Sequence, residues 1–435
     1  MPFASIPVSR VLALTGTIYL AAVLVLVFTE ALLGSAVFLA VAAATAAAYA
    51  LMLWRVWTEP AAPKRLLLIA FAFAVLFRVP AALAPVGPDS DMVRYLWDGR
   101  VQMLGYNPYT VVPADPALAH THTKETSAMP SLRHRTPYPP AAQLFFRMVV
   151  GIADSTLGMK LALLGCDLMT LVVLRRWLAI TGRNEWLALA YGWNPLVTLE
   201  VAHSGHIDVL GALWITAAAY WLTRRRTALA SVAFVLAITT KLLPVVLAPL
   251  FIGRIKVRDA LLGVALFGLL YLPFFTSGRG LPLGAVPNVV ENIRFNGPVF
   301  QAVAWIASPQ AAAAFAVLIG LTAAVWARWR LPVSDPAAWA WPMALALVAA
   351  PVVHPWYLLS LTPFLFVRST LPITAWTFSI LSVYLVWRFA REDGFWVAPI
   401  PLLVFEYGVF LAACVLLAAR ARQPKEEDRP LLSKI

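Results

Sequence analysis

The sequence predicts an all-α polytopic integral membrane protein of about twelve transmembrane helices, and three observations carry that expectation. Of its 435 residues, 61% are hydrophobic and only 13% charged, whereas soluble domains devote about a quarter of their residues to charge. The apolar residues come in blocks long enough to cross a hydrocarbon layer of about 30 Å, not in the short alternating segments of a β-barrel. Basic residues recur as short clusters between those blocks. The net charge of +13 therefore reads as topological bias, and no nucleic-acid partner is expected.

The expected spans are 9–30, 34–56, 66–85, 159–174, 186–202, 207–222, 259–275, 309–327, 338–353, 357–368, 372–388 and 396–419. The first run lacks a small-residue cleavage site and reads as a retained helix. Cys166 and Cys414 lie inside apolar blocks without metal spacing, as small packing residues do. Lys64/Arg65, Arg175/Arg176/Arg183, the arginines at 224–226, Arg254/Lys256/Arg258, Arg328/Arg330, Arg368 and Arg420/Arg422 can share one side, which the positive-inside rule makes the cytoplasm. Both termini then lie inside. The segment TALASVAFVLAITTKLLPVVLAPLFIG joins two basic clusters but is too short for two crossings at 1.5 Å per residue. A re-entrant or broken hairpin with Lys241 near its turn answers this, such backbone being tolerable when packed inside protein. A single helix with one cluster on the other side is the alternative.

This threading turns the long loop after residue 85 outward, together with AHSGHID, the 276–297 loop and HPWY at 354–357. The loop opens with GPDSDMVRYLWDGRVQMLGYNPY. As a helix over 90–104 it places Asp91, Arg94, Tyr95, Asp98 and Gln102 on one face. Ser90 is a cap candidate, and Asp91 would occupy the first turn, where the helix dipole favours a carboxylate. Met92, Leu96 and Met103 form the opposite face and are expected against lipid tails. The helix should stop near Gly105, before Pro108. Such a stripe either lines a cavity or forms ion pairs solvated at the headgroups.

Elsewhere on this face, His203, His206 and Asp208 supply too few ligands for a structural metal site and suit helix-end polar groups or phosphate donors. His354 is either an interfacial anchor or a donor to an anion. In NVVENIRFNGPVF, Arg294 is the anion candidate and Asn292 and Asn296 offer amides. His120, His122, Lys124, Arg133, His134 and Arg135 read mainly as headgroup contacts, with some placed to frame a phosphate. The apolar helix after Pro139/Pro140 reads as juxtamembrane.

The stretch DSDMVRYLWDGRVQMLGYNPYTVVPADP, with the later YPPAAQLFF, resembles the signature of polyprenol-phosphate-sugar-dependent glycosyltransferases of the type-C superfamily. It is similar in particular to the bacterial polytopic α-mannosyltransferases. AHSGHIDVLGALW, TTKLLPVVLAPLF, RFNGPVF and HPWYLLSLTPFLF extend the resemblance from Pro88 to Phe366. Two departures stand out. The family often has two adjacent acidic residues before YRYLWDG, whereas SDMVRYLWDG keeps only the second, Asp91, with Asp89 displaced by one. Two spans also precede the ones the simplest arrangement has before its functional loop.

The resemblance implies transfer of a monosaccharide, mannose in the first instance, from a polyprenyl-phosphate donor to a lipid or glycan hydroxyl on the noncytoplasmic face of an inner or plasma membrane. A base must come within about 3 Å of that hydroxyl. Asp91 is the candidate, Asp89 its rival, and direct displacement would invert the anomeric configuration. Donor phosphate or sugar contacts are expected from His354, Arg294, Lys241, Arg94, Arg100, Tyr95 and His206, without a cofactor or metal. Tyr95, Trp97 and Tyr109 would shape the sugar pocket or anchor the interface. The chain then divides into N-terminal helices (1–85), an external catalytic loop with juxtamembrane helices (86–158), a helical module with donor-binding loops (159–420) and a cytoplasmic tail (421–435). A transporter for a small polar or anionic solute is the alternative function, since broken helices also build transport sites. A lipid-binding assembly protein is a third.

Overall fold

A computed structural model describes residues 6–58, 63–87, 90–129, 131–275, 282–394 and 396–422. Asp89 and the tail beyond Arg422 fall outside them. The described chain is helical throughout, its one β feature an isolated parallel bridge between Phe295 and Val352. Helices of ten or more residues are α1 (Val8–Phe28), α2 (Ala36–Thr58), α3 (Lys64–Leu83), α4 (Met92–Met103), α5 (Pro140–Ile152), α6 (Thr156–Ile180), α7 (Asp208–Thr223), α8 (Thr227–Ile238), α9 (Val257–Tyr271), α10 (Pro309–Arg330), α11 (Ala337–Val348) and α12 (Ile400–Arg422).

Among the described residues, eight helices are long and apolar enough to cross a membrane unaided: α1, α2, α3, α6, α9 extended to Phe274, α10, the stretch Arg368–Asp393, and α12. The protein is a polytopic membrane protein. The other expected spans take a different form. Residues 207–222 and 338–353 become the shorter α7 and α11. Residues 186–202 break into Glu185–Ala188, Leu189–Gly192, Pro195–Val197 and a π-turn, Thr198–His203. Residues 357–368 become 3-10 turns at Pro355–Ser360 and Thr362–Phe364. Prolines supply the physical reason: Pro195 and Pro355 each begin one of these pieces and Pro363 stands second in another, since proline fits a first turn but removes an interior N–H.

α1 packs against α2 and α3, with Tyr19 stacked on Phe77 at 4.0 Å. One ionic contact fastens α3 to α6. Arg78 donates to both carboxylate oxygens of Asp167 and to the carbonyls of Ala74 and Gly192, and the Tyr191 hydroxyl donates to Asp167 at 2.7 Å. An unpaired charge at this depth would be costly, and here each is answered.

α7 and α8 form an antiparallel pair turned by the arginines at 224–226. α8 stops at Ile238. Thr239 and Thr240 turn their hydroxyls back onto the carbonyls of Val235 and Leu236, competing with continuation of the helix. The chain resumes as the 3-10 turn Leu243–Phe251, packed against α10 and α11, with Lys241 at the break. Irregular backbone is therefore backed by protein on one side, in keeping with the expected broken hairpin.

The helix order sets basic ends against a second end. Lys64 opens α3, Arg175 and Arg176 lie in the last turns of α6, the arginine run follows α7, and Arg328 and Arg330 close α10. Residues after α3, at the start of α7, after α8 and after α11 meet at the opposite end.

Candidate active site

α4 begins beside Ser90, whose hydroxyl accepts from the Met92 N–H at 3.2 Å. Asp91 sits at its head, its carbonyl accepting from the N–H groups of Arg94 and Tyr95. The helix ends at Met103, and Gly105 turns with φ +85°. The predicted stripe is present, yet most of it builds the scaffold. Arg94 Nε donates to Asp98 at 2.7 Å, and Arg94 also reaches the His134 carbonyl. Gln143 on α5 donates to Asp98 at 2.8 Å, and Gln102 donates to Gln143. This buried network fastens α4 to α5 and is not solvated at a headgroup layer.

The lipid-facing expectation for α4 is corrected. Met92 and Leu96 are buried, and of that face only Met103 is exposed. α5 covers one side, allowed close by Gly99, where a Cβ would stand 2.7 Å from the Phe146 carbonyl. Loop residues Leu118 and Met129 cover another, forming a small apolar cluster with Val93, Trp97 and Val101. Met92 rests on Gly205, a φ +75° residue with no room for a side chain.

Six other segments converge around Asp91. Its carboxylate lies 3.8 Å from Nδ1 of His206. His206 Nε2 lies 3.4 Å from Oε2 of Glu200, whose other oxygen accepts from the Tyr384 hydroxyl at 2.5 Å. Lys241 Nζ is 3.1 Å from Asp208 and stands over the rings of Tyr357 and Tyr138 at 4.8 and 5.5 Å. One wall is a run of stacked rings: His206 on Trp356 at 4.0 Å, Trp356 on His354 at 4.3 Å, and His354 on Phe295 at 4.5 Å. Nδ1 of His206 and of His354 are buried, without a hydrogen-bond partner among the described residues.

That wall is itself braced. Asn296, in the left-handed region at φ 54°, donates to Glu406 on α12 and to the Val353 carbonyl, and the Tyr407 hydroxyl donates to its own carbonyl. With the Phe295–Val352 bridge, these contacts fix Phe295 beneath His354. Asn296, expected to offer an amide to a ligand, is occupied in holding the loop.

Burial raises the Asp91 carboxyl above its ordinary range, against the pull of Lys241, a Tyr138 hydrogen bond and Arg94. Burial lowers His354 to about 3, with Lys241 adding to the effect. His206 is pushed well below its ordinary value by burial, then by Lys241 and His354. The resting site thus holds neutral imidazoles beside a carboxyl group that gives up its proton reluctantly.

The structure gathers Asp91, Lys241, His206, Tyr95 and His354 from the expected residues. Tyr95 is packed on Phe146 at 4.5 Å, with its hydroxyl 3.4 Å from the Ile207 N–H. Three others are engaged elsewhere. Arg94 holds Asp98. Arg100 forms a two-pronged pair with Asp154 at 2.9 and 2.8 Å and reaches the Thr121 carbonyl. Arg294 donates to the carbonyls of Val289, Ile293 and Glu291 in its own loop. Trp97 and Tyr109 are buried loop supports, bonded to Thr121 and to the Tyr138 carbonyl. Sequence reasoning passed over Glu200, Tyr138 and Tyr384. Glu200 carried a signal, a lone acid inside the apolar run PLVTLEVAH. Among the described residues no three His, Cys, Asp or Glu side chains converge as a metal site.

Membrane-crossing helices that close around a carboxylate, an ammonium group and two imidazoles define an integral membrane protein with a polar cluster at one end. Residues 3–258, more than half of the chain, match the model of the MptA_B family, alpha-(1->6)-mannopyranosyltransferase, N-terminal domain, and the chain belongs to that family. It is a mannosyltransferase, and hence a membrane glycosyltransferase, not a transporter. No curated protein matches the chain.

Proposed function

We propose that the protein transfers mannose from a polyprenyl-phosphate donor to an acceptor hydroxyl on the noncytoplasmic face, with inversion and with Asp91 as the base. One observation carries this reading: Asp91 stands in the field of Lys241, so a proton acceptor and a fixed cation face the same space. As the acceptor oxygen bonds to the anomeric carbon, the carbon–oxygen bond to phosphate breaks and its electrons leave with polyprenyl phosphate. The hydroxyl proton passes to Asp91. Lys241 offsets the charge growing on the departing oxygen, an effect strengthened where water is excluded. A β-linked donor yields an α-mannoside.

The acceptor class in this reading is a primary 6-hydroxyl of a mannoside, in keeping with the family's description. The rings of Tyr357 and Tyr138 beside Lys241 suit the apolar face of a sugar ring. The donor's polyprenyl tail belongs in the bilayer, where burial of each methylene contributes about 0.8 kcal/mol. The basic helix ends at the far side of the molecule support the outward orientation.

The test is transfer by the purified protein from synthetic polyprenyl-phosphate mannose to a mannoside acceptor, with a nucleotide-linked mannose as comparison. Product from the lipid donor, α-linked, and lost in Asp91→Asn supports the reading. Product from the nucleotide sugar alone overturns it. The site's sidedness is read by impermeant labelling of a cysteine placed at Lys124 in sealed cells.

A further inference from the structure

We propose that Glu200 is a positioning residue for the transfer, holding His206 so that its Nδ1–H faces Asp91. The inference rests on Asp91 acting as the base, and it adds a residue that does not touch the substrate. Glu200 is fully buried on the π-turn Thr198–His203, and its backbone carbonyl accepts from the His206 N–H at 2.9 Å. The same residue therefore fixes the imidazole at both its main chain and its ring. π-turns are rare and cluster at functional sites. Here the wider turn brings side chains six positions apart into register.

Hydrogen inventory decides the direction of the chain. Glu200 Oε1 accepts from Tyr384, leaving Oε2 opposite His206 Nε2. An ionised Asp91 needs a donor on its flank, and Nδ1 is the ring atom that faces it. A neutral imidazole with its hydrogen on Nδ1 presents a lone pair at Nε2. Glu200 must then be the donor, as a carboxylic acid. This arrangement gives Glu200 Oε2, which otherwise lacks a partner, an acceptor in His206 Nε2, and it aims Nδ1–H at Asp91 across 3.8 Å. It also leaves the stacked Trp356 ring beside a neutral imidazole. Glu200 thus aims the base through His206, as a ligating histidine is aimed by the partner of its other nitrogen.

The test compares Glu200→Gln with Glu200→Leu in the full-length protein. Glutamine keeps an N–H donor for Nε2 and an oxygen for Tyr384; leucine keeps neither. Glu200→Gln should stay within about threefold of wild type, and Glu200→Leu should lose about 10-fold to 100-fold in kcat with the donor KM unchanged. Equal loss in both variants, or full activity in Glu200→Leu, overturns the proposal. Should Glu200→Leu fail to fold, nitrogen-15 NMR of histidine-labelled wild type and Glu200→Gln decides, with His206 assigned by its loss in His206→Gln. A hydrogen on Nδ1 supports the proposal; a hydrogen on Nε2, or on both nitrogens, overturns it. Asp91→Asn is run alongside. An active Asp91→Asn sinks the base assignment itself, whereas an inactive one beside an indifferent Glu200→Leu sinks only the positioning role.

Discussion

Asp91 and Lys241 lie 150 positions apart in the chain, yet the ammonium group is the strongest charge acting on that carboxyl. Each is delivered by an interruption in a helix, Asp91 at the start of α4 and Lys241 where α8 breaks. The pairing makes the carboxylate usable where protein displaces much of its water. Without the cation, only the Tyr138 hydrogen bond and Arg94 would oppose desolvation.

Asp91→Asn should reduce transfer by about 10²-fold to 10⁴-fold, the usual contribution of a positioned base. Steady-state transfer assays read it, with size-exclusion profiles showing that the variant is folded. Retained turnover would remove Asp91 from the chemistry.

Lys241→Met should lower kcat by about 10²-fold, because the charge on the leaving phosphate loses its fixed partner. It also leaves Asp208 unpaired, so the double variant Lys241→Met with Asp208→Asn should recover stability without recovering rate. Recovery of both would make the lysine a structural counter-ion only.

The rate should rise with pH through the raised Asp91 value, above the ordinary carboxylate range of about 4, since only the ionised form accepts a proton. Stability follows the same groups. A carboxyl whose folded value is raised binds its proton more tightly when folded, so its contribution falls as pH climbs from the unfolded value through the folded one. Asp91→Asn should therefore unfold at a higher temperature than wild type at neutral pH. The histidines act in the other direction. With His354 lowered to about 3, folded protein resists protonation and stability drops as pH falls below the free-imidazole value of about 6.5. Thermal unfolding in detergent across pH 3 to 8 (roughly, the span between those values) checks both signs.

Arg78→Ala should destabilise the protein by about 3–5 kcal/mol, as removing one partner of a buried ion pair does. The folded fraction should keep its specific activity, because Arg78 fastens α3 to α6 and touches no site residue among its hydrogen bonds. A fall in activity at full folding would tie the clamp to the site.

Much of the fold was legible because lipid imposes strong composition rules. Runs such as α1, α2 and α12 announce themselves by apolar length alone. The expected break at Lys241 followed from an arithmetic conflict between two basic clusters and 27 intervening residues, and the chain breaks there. α4 was less legible on its apolar side. Periodicity identifies a face, but not whether lipid or protein covers it, and the loop over 110–132 covers part of this one. Arginines were the hardest to place. Arg100 and Arg294 carry the right charge for phosphate, yet Asp154 and three backbone carbonyls claim their donors. Those partners are set by loop folding that no local pattern encodes.

Three of the four stacked rings, Phe295, His354 and Trp356, lie beyond the matched region, while His206, Asp91, Glu200, Asp208 and Lys241 fall within it. Proton handling and the shape of the pocket wall are thus written in separate stretches of one chain. Kindred enzymes could exchange their C-terminal stretches and acquire a new taste in acceptors while inheriting the same carboxylate and ammonium pair.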